Sequence, residues 1–302
     1  MKKIFFLLFA TVSIAILFTA CNNSGSGGGD AVDLKLNLKK GQTYNYGMKM
    51  NMTMSAMSDI NMDFGFKMKV EDVDAQNNYS LVCSYEAIRF KMSVMGKDMG
   101  YDSKNVGDTT NENTQNQMFR KIFGSMIGQS FKMTMSQKGE VIKVEGLKDL
   151  VESMAQSMDI PEEKREQMRQ QMSQSFSEDQ MKQTFSQGFS VFPDKPVKVG
   201  DSWKKNLTKN ASGIAMQQEV TYTVKEINAS TVVLALSGDI TSSKSETPSA
   251  AKIDDMSGDL KGTMEMDRSS GMIHAGNMDM NMKVKAMGQS MDMKMKIIIE
   301  GK

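Results

Sequence analysis

The sequence predicts an α+β fold, with a predominantly antiparallel β-sheet built from two related β units and an α-helical insertion between them. Three observations predict it: apolar residues that alternate with polar ones, short sequences that recur in the same order in both halves, and apolar stripes at helical spacing between the halves. The predicted organisation is a signal peptide over 1–20, a flexible Gly/Ser/Asn tether over 21–31, a first β unit over 32–145 with a helix near 115–129, a helical segment over 146–190, and a second β unit over 191–302.

The first twenty residues have the pattern of an export signal. A lysine pair precedes an apolar stretch that is too short to span a bilayer comfortably. The stretch ends in Leu17-Phe18-Thr19-Ala20-Cys21, which resembles a bacterial lipobox, although Phe18 stands where Leu is usual. We expect acylation of Cys21 and stable anchoring in a membrane of the cell envelope. Asn22, by resemblance to enterobacterial sorting, favours the outer membrane, with the body facing the periplasm.

Charge and cysteine content exclude several classes of partner and linkage. Lys and Arg number 37 against 36 Asp and Glu, so the net charge of +1 gives no bulk attraction to nucleic acid, and no nucleic-acid partner is expected. Cys83 is the only other cysteine, and it shares one predicted strand face with Leu81 and Tyr85. With Cys21 acylated, no disulfide partner remains for it.

Methionine is the compositional outlier, at 32 residues, and much of it falls on strict alternation. Residues 48–54 and 62–70 each place apolar side chains on one face and are separated by a polar turn, which predicts an antiparallel hairpin. Residues 278–286 and 291–299 repeat the pattern, with a break at Gly288-Gln289-Ser290. The methionines that we consider as a possible ligand-binding face are Met48, Met50, Met52, Met54, Met278, Met280, Met282, Met291, Met293 and Met295.

Three pairs of segments indicate that the β unit is duplicated. The first pair shares a Gly, a polar pair and an aromatic residue at the entry to a strand, and the second shares a strand, polar turn, strand pattern. The pairs occur in the same order along the chain. The third pair differs by one added turn residue. The matched segments are 40–44 with 199–203, 69–85 with 223–236, and 133–142 with 264–273.

The middle of the chain predicts helices. Apolar residues recur at helical spacing over 118–127, over 147–158 and, after Pro161 in a first turn, over 168–176. Ser177 with Gln180 resembles a capping box that opens a further helix, and Gly188 is expected to end it. The many Gln, Glu, Lys and Arg residues of this region predict a solvated outer face.

The segment Phe192-Pro193-Asp194-Lys195-Pro196-Val197-Lys198-Val199-Gly200-Asp201-Ser202-Trp203 resembles a signature of an uncharacterised family of Bacteroidota lipoproteins. This resemblance implies a compartment and an architecture for most of the mature chain, and it implies no reaction, cofactor or catalytic residue. Turn chemistry accounts for the segment: the prolines hold an extended approach, Gly200 permits a tight turn, and Trp203 packs on the sheet. We therefore favour a structural role for it over a ligand site.

No catalytic pattern emerges from the sequence. His274 is the only histidine, so neither a histidine metal triad nor a Ser-His-Asp arrangement can form, and a surface or turn position is expected for it. The adjacent carboxylates Asp254-Asp255 and Glu162-Glu163 point apart on a strand or a helix. The phosphate-binding, dinucleotide and G-x-S-x-G motifs do not occur. We expect a protein that is not an enzyme and needs no cofactor.

Three functional hypotheses follow. The first is a non-catalytic binding or interaction module of the cell envelope, with an envelope protein as partner. The second is a carrier that binds a hydrophobic ligand or lipid on the methionine face, with the helices as cover. The third is a copper-binding protein, because thioethers suit Cu(I), but sulfurs that line a whole face predict no closed coordination sphere and hence no metal site. The simplest expectation for the face is an ordinary core packed against the helices.

Overall fold

The computed structural model describes residues 31–54, 58–107, 113–189, 191–211, 214–244, 253–286 and 288–301. The predicted signal peptide, the predicted lipidation site Cys21 and the tether as far as residue 30 lie outside the described residues.

Within the described residues, twelve strands form one sheet, and every strand pair in it is antiparallel. The predicted α+β fold with a predominantly antiparallel sheet is confirmed. The order is β6-β5-β3-β2-β1-β12-β11-β10-β9-β8-β7, and β4 pairs with β3 beside this path. The strands are β1 (Thr43–Met54), β2 (Ser58–Val73), β3 (Tyr79–Val94), β4 (Lys97–Asp102), β5 (Ser130–Met135), β6 (Val141–Glu145), β7 (Ser202–Ala211), β8 (Ile214–Ile227), β9 (Thr231–Lys244), β10 (Ile253–Asp267), β11 (Ile273–Ala286) and β12 (Gln289–Gly301).

Helices interrupt the strands between β4 and β7. They are α1 (Thr114–Met126), α2 (Leu147–Gln156), α3 (Glu162–Ser175) and α4 (Glu178–Phe189). The Gln180 amide donates to Ser177 Oγ at 3.4 Å, so the predicted cap opens α4. The helix continues through Gly188 to Phe189, so the prediction that Gly188 ends it is wrong. Over the described part of the chain, no helix combines the length and the apolar character that a membrane span requires.

In both halves the chain enters the sheet through the same kind of turn. In the first half, the Gly41 amide donates to the Val70 carbonyl at 2.9 Å, and the Val70 amide donates to the Gln42 carbonyl at 2.8 Å. In the second half, Gly200, Val224 and Asp201 make the same two bonds, each at 2.9 Å. The glycines have φ of +85° and +92°, a conformation that glycine adopts without a Cβ penalty.

Further irregularities also recur at matched places. A register shift lies between Val70 and Asp72 on β2, and another between Val224 and Glu226 on β8. The β5–β6 and β10–β11 hairpins each contain a shift just before their turn. Because bulges are local and sequence-specific, shared bulges indicate that β1–β2–β3–β5–β6 and β7–β8–β9–β10–β11 are two copies of one unit.

Residues Val32–Leu38, which we call the closing segment, cross one end of the sheet. Val32 exchanges two backbone hydrogen bonds with Val197, just before β7, and the Leu36 amide donates to the Gln137 carbonyl, in the turn beside β6. Val32 and Leu36 are four residues apart in the chain, so they lie at most about 14 Å from each other. The two edges of the sheet that they contact therefore approach each other at this end. The sheet is therefore curved, and its concave face holds the core.

The closing segment is itself part of that core. Every second residue is buried, namely Val32, Leu34, Leu36 and Leu38. This alternation is visible in the sequence, which predicts these residues only as part of the first β unit as a whole. The main buried cluster joins this segment to residues of both β units. A smaller cluster, Ile88, Met126, Leu150 and Met154, lies where α1 and α2 meet β3.

Candidate ligand-binding face

Both predicted methionine hairpins are confirmed. Met50 lies opposite Met62 in the β1–β2 pair, and Met280 lies opposite Met295 in the β11–β12 pair. Of the predicted turn residues, Gln289 and Ser290 already pair with Ala286 and Lys285, so they belong to β12. Gly288, with φ of +75°, occupies the turn.

The two hairpins lie side by side, because β1 pairs with β12. Met52 faces Met295 and Met54 faces Met293 across this pair. The pairing joins strands from opposite ends of the chain, so sequence periodicity could not reveal it. All ten predicted methionines therefore share one face of three adjacent strands, and we call this set the methionine floor: Met48, Met50, Met52 and Met54 on β1, Met291, Met293 and Met295 on β12, and Met278, Met280 and Met282 on β11.

Two lateral rows of the floor consist of methionine on all three strands. One row runs Met52, Met295, Met280, and the next runs Met54, Met293, Met282. Directly opposite residues in an antiparallel sheet have Cβ atoms about 4.5–5.5 Å apart, so neighbouring thioether chains in a row are in contact range. The two rows form a block of six methionines.

The floor is only partly covered. Met282 is 7% exposed and Met291 is 39% exposed, and the other floor residues lie between buried and exposed. Among the described residues, Met278, Met280, Met293 and Met295 pack against the main buried cluster, whereas the four β1 methionines pack against neither buried cluster. The helices make their principal sheet contacts with β3, β4, β5 and β6. The sequence predicts that the whole methionine face packs against the helices as an ordinary core. The four β1 methionines do not pack in this way.

An aromatic cluster borders the floor on the side of the helices. Phe66 on β2 lies 5.4 Å from Tyr85 on β3, measured between ring centroids, and Phe185 of α4 lies 5.6 Å from Phe131 on β5. Phe66 and Phe185 are 6.1 Å apart, which ties α4 to the concave face. Burial raises the pKa of Tyr85 to about 12, so its phenol is neutral at physiological pH. This side of the face is thus a wall of uncharged rings.

Charged residues of the same strands point to the opposite face. Lys49 Nζ lies 3.0 Å from Glu300 Oε1 across the β1–β12 pair, and Lys294 and Lys296 alternate with the floor methionines. On the concave face, Tyr46 precedes Met48, and burial raises the pKa of its phenol well above the ordinary range. The described floor and its borders therefore carry no charge at neutral pH.

The opposite face contains a cavity of about 390 Å³ over Gly47, Gly65 and Ala87. These small residues lie in one row across β1, β2 and β3, which leaves the indentation. Several of the charged side chains around it pair with one another, as in Arg89 with Asp63 at 3.4 Å. Such exposed pairs contribute little to stability.

The other residues considered from the sequence do not form a site. His274 is exposed beside the bulge of β11. Asp254 accepts from the Gly288 amide, Asp255 accepts from Ser242 Oγ, and Glu162-Glu163 occupy the exposed first turn of α3. In the described ranges, no group of three or more His, Cys, Asp or Glu is placed to hold a metal ion. The Cys83 thiol is fully buried, and burial raises its pKa far above the usual range, which makes it unreactive.

The segment from Phe192 to Trp203 has structural contacts. Trp203 Nε1 donates to the Val191 carbonyl at 2.9 Å, and its ring stacks on Tyr222 with 5.6 Å between centroids. Val197 pairs with Val32 of the closing segment. The segment therefore fixes one edge of the curved sheet and receives the start of the closing segment.

The fold and the floor together define an α+β protein whose curved antiparallel sheet carries an uncharged, partly covered face. A family model described as "Family of unknown function (DUF6263)" matches residues 76–273, which is more than half of the chain. The chain belongs to this family of unknown function. The matched residues end at the first residue of β11, so they exclude all ten methionines of the floor.

No curated protein matches the chain. Among solved structures, the chain is similar to a loop L8 deletion mutant of OmpT, an outer membrane protein of Vibrio cholerae, with 5% identity, 86% of this chain and 98% of that chain covered, and a TM-score of 0.19.

Proposed function

We propose that the protein is a non-catalytic, lipid-anchored binding module of the cell envelope, and that it holds an acyl chain on the methionine floor. The observation that carries the proposal is the β1–β12 pairing, which joins two distant hairpins into one continuous apolar surface. A surface of this kind that is only partly covered is characteristic of interaction and ligand sites.

Four properties of the floor and its aromatic border favour an acyl chain as the ligand. Unbranched thioether side chains adapt their shape and so accommodate flexible hydrocarbon. From Met48 to Met54 the floor extends about 20 Å along β1, at roughly 3.4 Å per residue. The aromatic cluster supplies an apolar wall at one side, with Phe185 carried by α4. The absence of charge on the described floor makes a polar ligand a poor fit.

The membrane anchor in this proposal is a lipid on Cys21, which the lipobox-like residues before it support. Asn22 after the cysteine supports an outer-membrane position facing the periplasm. Anchoring would keep the floor close to a source of lipid. Labelling with a radioactive or clickable fatty acid in cells should mark the wild-type chain and leave Cys21→Ala unmarked. Equal labelling of both chains would contradict acylation at Cys21.

The test of binding is native mass spectrometry, with lipid extraction, on a secreted body that starts at Ala31. All twelve described strands, the four helices and the closing segment lie within this body, so it retains the whole described fold. We expect a lipid that copurifies in stoichiometric amount, or uptake of an added fluorescent fatty acid. A body that carries no lipid and refuses the fatty acid would overturn the proposal.

Matched variants locate the ligand. Met52→Gln with Met295→Gln places two polar groups on the floor and should reduce fatty-acid uptake strongly. Thr53→Gln with Lys294→Gln changes the same two strands on the opposite face and should leave uptake unchanged. Circular dichroism checks that both variants fold. Equal uptake by the two variants would place the ligand elsewhere.

A further inference from the structure

We infer that the block of six methionines on β1, β12 and β11 is a binding site for a soft monovalent cation, and that this cation is Cu(I). The inference concerns the same floor as the proposed function, but it depends on sulfur chemistry rather than on apolar character. The six residues are Met52, Met54, Met280, Met282, Met293 and Met295.

The strand register supplies what the sequence lacks. From sequence alone, the methionines line a whole face, which argues against convergence of sulfurs on one point. The β1–β12 pair instead sets Met52 against Met295, and the β11–β12 pair sets Met295 against Met280. Three thioethers on adjacent strands thus stand in one row, with a second row directly beside it. Because the six side chains project from one face of three adjacent strands, with directly opposite Cβ atoms about 4.5–5.5 Å apart, flexible thioethers of neighbouring residues are within reach of a shared ion.

The neighbours of the block delimit it. In the row of Met52, Met295 and Met280, the next residue on the β2 side is Ile60, and the next on the β10 side is Leu260. In the row of Met54, Met293 and Met282, the flanking residues are Ser58 and Gly258. Sulfur is therefore concentrated on the three strands where the two hairpins meet, and apolar residues without sulfur bound the first row.

The donor set determines which ion the block can take. The described floor presents thioethers and no carboxylate, imidazole or thiolate, since the lysines and carboxylates of β1 and β12 occupy the other face. Ca²⁺ and Mg²⁺ need oxygen ligands and Zn²⁺ needs thiolate, imidazole or carboxylate, so these ions find no ligand of their preferred type there. Neutral thioethers suit Cu(I), which is soft and carries a single charge into an apolar site.

The exposure of the block allows an ion to enter and be held. Met282 is buried, whereas Met291, two residues before Met293 on the same strand face, is 39% exposed. Met291 thus offers a first sulfur to solvent near the β11–β12 turn, with further sulfurs at each step inward. A graded series of similar ligands lets a labile ion move from solvent to a partly desolvated position.

The test is anaerobic competition for Cu(I) between the body that starts at Ala31 and the chromophoric chelator bicinchoninate. We expect the wild-type body to withdraw Cu(I) from the chelator. The variant Met52→Leu/Met280→Leu/Met295→Leu keeps volume and apolar character and removes one row of sulfurs. Its Cu(I) affinity should fall on the order of ten- to a hundredfold. The control Met99→Leu/Met118→Leu/Met168→Leu removes three sulfurs elsewhere and should bind as the wild type does.

A second measurement does not depend on the variants. Methyl NMR of the wild-type body labelled at the methionine methyl groups should show shifts for the block when Ag(I), a redox-inert substitute for Cu(I), is added. Failure of the wild type to compete for Cu(I), or shifts confined to methionines outside the block, would overturn the inference. Fatty-acid uptake by the leucine variant reports separately on the proposed function, because leucine preserves an apolar floor.

Discussion

Gly271 allows the closing segment to pack closely against the β10–β11 turn. Its φ is +72°, and a Cβ at this position would stand 2.1 Å from the Lys35 carbonyl oxygen of the closing segment. The Gly271 amide also donates to the Asp267 carbonyl, which holds the β10–β11 turn against that segment. Glycine is therefore required twice here, for its backbone conformation and for the close approach of another chain segment.

Alanine substitutions at Gly200 and at Gly271 measure the two requirements separately. Gly200→Ala has the same problem of positive φ, with nothing within 4 Å of the new Cβ, so it should cost about 1–2 kcal/mol. Gly271→Ala should cost about 1–3 kcal/mol more, because the closing segment must shift. Urea unfolding of the two variants measures the difference. Equal losses would mean that the closing segment is not seated against Gly271.

Because the phenol of Tyr222 is buried, we expect the folded protein to lose stability at high pH. Burial raises the pKa of its phenol from 10.0 to about 12 in the folded protein. Below pH 10 the phenol is neutral in both states, and above it the unfolded chain loses the proton first, so the free energy of unfolding should fall between pH 10 and 12. Tyr222→Phe should make this fall smaller. Leu236→Val, at the paired position on β9, should lower stability without changing the slope with pH.

At the scale of the element, the closing segment connects parts that are distant in the sequence. The Leu36 amide bonds to the β5–β6 turn, the Asn37 amide bonds to the Ser270 carbonyl at 2.8 Å, and Tyr79 Oη donates to the Leu36 carbonyl at 2.9 Å. One short extended segment thus joins both copies of the β unit. Its four buried aliphatic side chains supply the apolar contact that holds it in place.

Leu36→Ala should therefore loosen both units together. Leu36 is 1% exposed, and truncation of such a side chain costs about 2–5 kcal/mol. Hydrogen exchange of the Leu36 and Asn37 amides should accelerate, and so should that of the Gly271 amide in the β10–β11 turn. Lys35→Ala removes a partly exposed side chain that pairs with Asp33, and as the control it should change exchange little. Faster exchange at Leu36 alone would show that the segment does not couple the units.

Local pattern predicted the elements better than their arrangement. The alternation of Met48 to Met54 fixed the strand, its face and its hairpin partner, because all three depend on nearby residues. The Ser177 cap likewise predicted the start of α4. The β1–β12 pair could not be predicted, since no local periodicity specifies which distant strand becomes a neighbour. The sequence therefore predicts which methionines belong to the floor. Only the structure shows that the two hairpins are adjacent and that the methionines form rows across them.

At the scale of the whole molecule, the two copies of the β unit are completed differently. After β10 and β11, the second copy continues into β12, which pairs with β1 of the first copy. After β5 and β6, the first copy continues into α2, α3 and α4, and β6 has five residues where β11 has fourteen. The helices thus stand where the duplicated plan would place another strand. This asymmetry leaves a helix-covered half and a methionine floor on one concave face.

Truncation after Ala286 removes β12 and should have a large effect. It leaves β1 and β11 as unpaired edges with apolar residues on one face, which favours association between chains. We expect the truncated body to elute as large oligomers or to precipitate in size-exclusion chromatography. Met291→Leu/Met293→Leu/Met295→Leu keeps the strand and should remain monomeric to the same extent as the wild type. A monomeric truncated body would show that β12 is dispensable for closure.

The pairing of the first strand with the last has a consequence for biosynthesis. A ribosome makes β1 long before β12, so the β1–β12 pair at the centre of the sheet can form only after residues 289–301 have left the ribosome. Contacts between such distant positions form slowly, because a long loop must be closed before they gain any stability. During that interval the sulfur-rich strands are exposed to whatever surrounds the nascent chain. A chain that stops before β12 cannot form this pair, so the pair distinguishes chains that contain β12 from chains that lack it.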